Sequence, residues 1–229
     1  MDTEDDMDAA LAITERAVSI PSGATTLEGS LMIPAKAESL VIFVHGSGSS
    51  RFSPRNKYVA DILNRAGTAT LLFDLLTEEE DAIYETRFNI DLLTDRLIDA
   101  TKWAQGDIET QDLRLGYFGA STGAAAALKA VPEFEETVGA VVSRGGRPDL
   151  AGQALAIVKA PTLLIVGGND EPVITLNRRA YDQMERAKEK ELAIIDFATH
   201  LFEEPGTLEE AARLAKEWFE KHLRFSSNI

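Results

Sequence analysis

The chain has no cysteine and only three histidines in 229 residues. The first absence excludes disulfides, thiolate metal sites and a cysteine nucleophile together, so any covalent catalysis falls to another residue type. The second makes the search for an imidazole base nearly exhaustive. Long apolar runs are also missing. The longest, near Leu40–Val44 and Leu163–Val166, fall far short of the ~20 residues a membrane helix needs. The opening MDTEDDMD is acidic where a secretory leader needs a basic start and an apolar stretch, so a cytoplasmic protein is expected. Positive charge is scarce: 23 basic residues face 38 acidic ones, a formal charge of −15. Such a balance repels phosphate backbones and anionic lipid surfaces, so neither nucleic acid nor membrane is an expected partner. Internal repeats, low-complexity tracts and Pro/Gly/Ser-rich linkers are absent as well. Residues 13–225 are therefore expected to form one domain behind a disordered acidic segment, 1–12.

What is present is alternation, then crossover. Leu27, Gly29, Leu31 and Ile33 alternate with Glu28, Ser30 and Met32, and a Pro21-Ser22-Gly23 turn separates them from Ala17–Ile20. This pattern predicts an antiparallel hairpin. From Leu40 onward, short apolar strands alternate with segments of helical period, as a mostly parallel sheet requires. The predicted strands are Leu40–Val44, Ala69–Phe73, Leu113–Phe118, Val138–Ser143, Thr162–Val166 and Leu192–Phe197, which with the hairpin make eight. The first crossover helix has Ser53 as N-cap, Pro54 at its first position, an apolar stripe at Val59, Ile62, Leu63 and Ala66, and Gly67 as its stop. A second carries Ile90, Leu93, Leu97, Ala100 and Ala104, and the last carries Leu208, Ala211, Ala215 and Trp218.

Directly after the strand LRLGYF stands Gly119-Ala120-Ser121-Thr122-Gly123, followed by the helical run AAAALKA. Small residues are needed there if a sharp strand-to-helix turn is to lift the serine oxygen above the sheet. The same run also suits a glycine-rich turn whose serine merely caps a helix. The partners in sequence order decide between the two. His200 follows the last strand in the loop Thr199-His200-Leu201, where its ring can reach over the carboxyl edge of the sheet. His222 falls on the apolar stripe of the last helix and is expected to be structural. The carboxylate should follow a strand between Ser121 and His200. Asp170, after Gly167-Gly168-Asn169, meets that condition and is preferred to its neighbour Glu171.

Taken together, HGSGSS, GASTGA, VGGND and ATH resemble the α/β-hydrolase superfamily, and the lack of an inserted domain resembles the dienelactone hydrolase family. The resemblance covers the chain from about Ala17. It implies an eight-stranded, mostly parallel sheet with an N-terminal hairpin, helices on both faces and no lid domain. It further implies Ser121 as nucleophile, His200 as base and Asp170 as the acid that orients it. The N–H groups of Thr122 and Ser47, the latter preferred to Gly46, become the oxyanion donors, and His45 is a turn residue valued for its backbone. Dienelactone hydrolases use a cysteine nucleophile, and Ser121 replaces it here.

The expected activity is hydrolysis of small carboxylic esters or lactones through an acyl-enzyme. The alternatives are a thioesterase or acyltransferase using the same triad, or a non-catalytic binding module on the same fold. No histidine pair stands at metal-ligand spacing and no dinucleotide fingerprint follows a strand, so no metal or other cofactor is implied. Arg51, Arg144 and Arg147 follow strands at the edge where ligands bind and are candidates for an anionic substituent on the substrate.

Overall fold

The computed structural model describes residues 12–224. The expected disordered segment thus lies outside the described residues except for Ala12, whose carbonyl accepts a hydrogen bond from Ala35 N at 2.8 Å. The chain runs β1 (Ile13–Ser22), β2 (Thr25–Pro34), β3 (Ser39–Val44), α1 (Pro54–Arg65), β4 (Ala69–Phe73), α2 (Glu78–Asp81) and α3 (Ile90–Gly106). It continues through β5 (Arg114–Ala120), α4 (Thr122–Ala130), β6 (Val138–Arg144), β7 (Thr162–Gly167), α5 (Glu171–Gln183), β8 (Lys190–Ile195) and α6 (Thr207–Leu223). The strands form one sheet of eight in the order β1-β2-β4-β3-β5-β6-β7-β8. The β1–β2 and β2–β4 pairs are antiparallel, and every later pair is parallel.

Parallel strands with helices on both faces must be apolar throughout, and β3 and β7 are buried at every position. Along β3 the faces alternate: Leu40, Ile42 and Val44 pack with residues of α3 and α4, while Val41 and Phe43 pack with residues of α1 and α6. Each such side chain contributes roughly 1.5–3 kcal/mol on burial. The first crossover helix forms as expected. The Ser53 side chain accepts from Asn56 N at 3.3 Å, Pro54 opens the helix, and Val59, Ala60 and Leu63 face the sheet. Helix α6 buries Ala211, Ala215, Trp218 and Phe219 along the stripe that its sequence displays.

The last strand ends earlier than its apolar pattern suggests, at Ile195 rather than Phe197. Phe197 turns outward with φ +63° and 77% exposure. The sharp turn buries Ala198 and points the following loop back across the sheet. The carboxyl ends of the parallel strands consequently gather His45, Ser121, Arg144, Asp170 and His200 at one edge.

Candidate active site

Ser121 joins β5 to α4 in a conformation that few non-glycine residues adopt, φ +50° and ψ −122°. That strain persists only where the surroundings over-determine it. The surroundings here are glycines: a Cβ at Gly119 would lie 2.5 Å from Ala124 Cα, and one at Gly123 would run into the Val44 carbonyl. Strand and helix are therefore packed backbone to backbone, and the bend between them has no slack. Ser121 occupies the N-cap position of α4, yet its side chain makes no capping hydrogen bond. The hydroxyl is left free for other work, which weighs against the capping-serine reading of the motif.

Asp170 and His200 are brought together by backbone stitching between two loops. Gly168 N donates to Ile195 O at 2.8 Å, Asn169 N to Ala198 O at 2.9 Å, and the Asn169 side chain to Phe197 O at 2.9 Å. A Cβ at Gly167 would collide with the Ala198 carbonyl, so the paired glycines of VGGND permit this approach. Asp170 stands at the N-cap of α5 without capping it. Its carboxylate instead lies 2.7 Å from His200 Nδ1. A carboxylate only accepts, so Nδ1 carries the proton and Nε2 of the neutral ring is left basic. Glu171, the neighbouring carboxylate, is exposed at the start of α5.

The loop after β3 is organised by His45, whose ring does more than the sequence suggests. Leu75 N donates to His45 Nε2 at 3.0 Å, which places the remaining proton on Nδ1, 3.0 Å from Gly46 O. The ring thus pins this loop to the end of β4. Burial holds its pKa below the ordinary histidine value, against a smaller upward pull from its bond to Gly46 O. Ser47 N donates to Thr122 Oγ1 at 3.0 Å. The two expected oxyanion donors therefore sit side by side, but the Ser47 N–H is engaged by the Thr122 hydroxyl. Thr122 is the first residue of α4, where no intrahelical carbonyl can take its own N–H.

Ser121 and His200 line one cleft of about 200 Å³, together with Gly46, Ser47, Ser49, Ser53, Arg55, Asn56 and Arg144. Of the three arginines proposed from sequence, only Arg144 is among them. Arg51 is tied to Asp74 through both its backbone N–H, at 2.7 Å, and its guanidinium. Arg147 forms a two-pronged pair with Asp149 at 2.8 and 2.9 Å. Arg55 and Asn56 were not singled out in the sequence. They open α1, and the Ser53-Pro54 start signal is what carries them to the cleft. His222 packs on Trp218 with ring centroids 4.5 Å apart and lies 3.6 Å from Glu189, away from the cleft.

A model of the dienelactone hydrolase family matches residues 28–227. A solved dienelactone hydrolase from Anabaena variabilis is 56% identical and superposes with a TM-score of 0.89, covering 93% of this chain and 99% of that one. Est1E from Butyrivibrio proteoclasticus is 16% identical and shares the fold, with a TM-score of 0.75 over 90% of this chain and 98% of its own. A Mycobacterium tuberculosis protein provisionally named a phosphoribosyl transferase is 53% identical over 211 residues, which are 92% of this chain and 47% of that protein. The chain thus spans about half the length of the curated relatives it matches.

Proposed function

Because this chain belongs to the dienelactone hydrolase family, we propose that it is a serine hydrolase that cleaves small carboxylic esters or lactones through an acyl-enzyme. Ser121 Oγ attacks the carbonyl carbon while His200 Nε2 takes its proton. Asp170 holds the ring in the tautomer that makes this possible and stabilises the imidazolium that forms. The tetrahedral oxyanion is received by the N–H of Thr122 and that of Ser47, each worth about 3 kcal/mol in comparable sites. For Ser47 to take part, the Thr122 hydroxyl must yield its bond. His200 then returns the proton to the leaving oxygen, and water attacks the acyl-enzyme by the same route.

The observation that carries this reading is a serine held at φ +50° with its hydroxyl uncommitted, in the same cleft as an imidazole bonded at 2.7 Å to a carboxylate. The cavity, at about 200 Å³, is smaller than the roughly 300–1,000 Å³ of drug-sized pockets, which favours compact acyl groups. The transferase name of the Mycobacterium relatives describes proteins of which this chain spans about half; hydrolysis is the reading offered for this half. A fluorophosphonate probe is expected to label the protein at Ser121 and not to label Ser121→Ala. Labelling elsewhere, or undiminished labelling of the variant, contradicts the assignment.

A further inference from the structure

Arg144 is the last residue of β6, beside the elbow: it is the strand partner of Ala120, and its carbonyl accepts from Ser121 N at 3.3 Å. Its side chain is 7% exposed, yet among the described residues no carboxylate pairs with it. One guanidinium nitrogen reaches Asn56 Oδ1 at 3.3 Å, while Nη1 is buried with no hydrogen-bond partner among the described residues. The group lies between the rings of Phe118 and Phe202, 5.8 Å from each centroid. Removing a cation from water without a partner is costly, and proteins normally supply a carboxylate. Burial and the nearby Arg55 push the Arg144 pKa down to about 10, which leaves it charged at neutral pH.

The surroundings repeat the same deficit. Arg55 lines the cleft and is tied only loosely, at 3.5 Å, to the exposed Glu203. Both arginines stand at or near the N-terminus of α1, a helix of 12 residues. There Pro54 has no N–H and Ser53 takes that of Asn56, so the N–H of Arg55 is the open donor of that first turn. The hydroxyls of Ser49 and Ser53 complete the wall, and among the described residues no carboxylate side chain lines this cleft. On a chain of net charge −15, a wall with two guanidinium charges and no acid is selective for anions.

We infer that this wall is a subsite for a phosphate group on the substrate, seated between Arg144, Arg55 and the start of α1. Two fixed positive charges match a phosphate monoester, which carries about −1.5 to −2 at pH 7, better than a single carboxylate. The phosphate is held and not attacked; the bond cleaved remains the ester or lactone carbonyl at Ser121. The inference rests on the hydrolase reading above and narrows its substrate to phosphorylated esters.

The test has a binding arm that needs no turnover. Inorganic phosphate is titrated into the Ser121→Ala protein at constant ionic strength, followed by calorimetry or phosphorus NMR, and acetate serves as the single-carboxylate control. Phosphate should bind more tightly than acetate. Its affinity should fall roughly tenfold or more in Ser121→Ala/Arg144→Gln and by a smaller factor in Ser121→Ala/Arg55→Gln. Equal binding of phosphate in all three proteins, or acetate binding as tightly as phosphate, overturns the subsite. If Arg144→Gln does not fold, unchanged phosphate affinity in the Arg55 variant is sufficient to overturn it. In the kinetic arm, kcat/KM for 2-phosphoethyl acetate over 2-hydroxyethyl acetate should exceed about tenfold in the parent enzyme and approach one in Arg144→Gln. Turnover of the neutral ester without Arg144-dependent phosphate binding removes only the subsite. Phosphate binding without turnover of any ester removes the hydrolase reading instead.

Discussion

Two arginines are buried to almost the same depth, Arg96 at 8% exposure and Arg144 at 7%, and their surroundings are opposite. Arg96, on α3, reaches Glu80 at 2.6 Å and the Ser22 carbonyl at 2.9 Å, and so fastens α3 to α2 and to the end of β1. Each leaves one buried nitrogen without a partner, Nε in Arg96 and Nη1 in Arg144, but Arg144 has only an amide oxygen at 3.3 Å where Arg96 has a carboxylate. Where the fold needs a buried cation for its own cohesion, it provides a carboxylate. In the cleft it does not, and it also tolerates a serine at positive φ and an uncommitted hydroxyl. The cleft carries local cost, in a strained serine and an unpaired cation, that the α2–α3 region avoids.

Substitutions can break this contrast in either direction, and the largest effect belongs to the cleft. Ser121→Ala should lower kcat by about 10⁴–10⁶ with little change in melting temperature, measured with an activated acetate ester and by thermal unfolding. A variant that loses stability but keeps turnover would assign Ser121 to the scaffold. His200→Ala should be nearly as damaging to kcat, while His222→Ala should leave kcat near that of the parent and lower stability alone. Exchange of those two outcomes would move the base to His222 on α6.

The arginine pair gives the next effect in size. Arg96→Met removes the cation from an intact buried pair and should cost about 1–3 kcal/mol in chemical unfolding, with kcat/KM unchanged. Arg144→Met removes a charge that has no partner. It should cost less than Arg96→Met or even raise stability, since replacing buried ionic groups by apolar ones is often neutral or favourable. Equal destabilisation by both would show that Arg144 is braced by the fold after all.

The smallest effect concerns acid. Burial lowers the native-state pKa of His45, and likewise that of His222, below the reference value of 6.5. In the unfolded chain both rings bind protons more readily than in the native protein, so stability is full above pH 6.5 and declines as pH falls through that value toward the lower native pKa. His45→Gln should be less stable at neutral pH but show a shallower loss between neutrality and that acid range. An unchanged slope would mean that the bond from Leu75 N does not depend on a neutral ring.

The comparison also explains what could be read from the amino-acid order. The eight strands, the capped start of α1 and the Gly119–Gly123 bend were legible because each is written in neighbouring residues: buried runs, Ser-Pro, Gly-x-Ser-x-Gly. Asp170 was legible for the same reason, since a strand emptying into Gly-Gly-Asn signals a turn. Side-chain partnerships across the sheet were not. Arg51 faced the right edge, but Asp74 stands at the end of the adjacent parallel strand and takes it. The bond from Ser47 N to Thr122 Oγ1 joins residues 75 apart, and no local periodicity encodes it. The role of the His45 ring is hidden in the sequence because its partner, Leu75 N, comes within reach only once β3 and β4 are paired. The end of β8 is not legible because Ile194, Ile195 and Phe197 look alike as a pattern, although the turn at Phe197 sends that ring into solvent.

Acylation of Ser121 can be observed by rapid mixing with 4-nitrophenyl acetate. Nitrophenol should appear in a burst approaching one equivalent per protein chain, and quenched protein should carry an acetyl group on the peptide containing Ser121. Ester cleavage with no burst and no adduct, or an adduct on any other residue, would rule out Ser121 as the nucleophile.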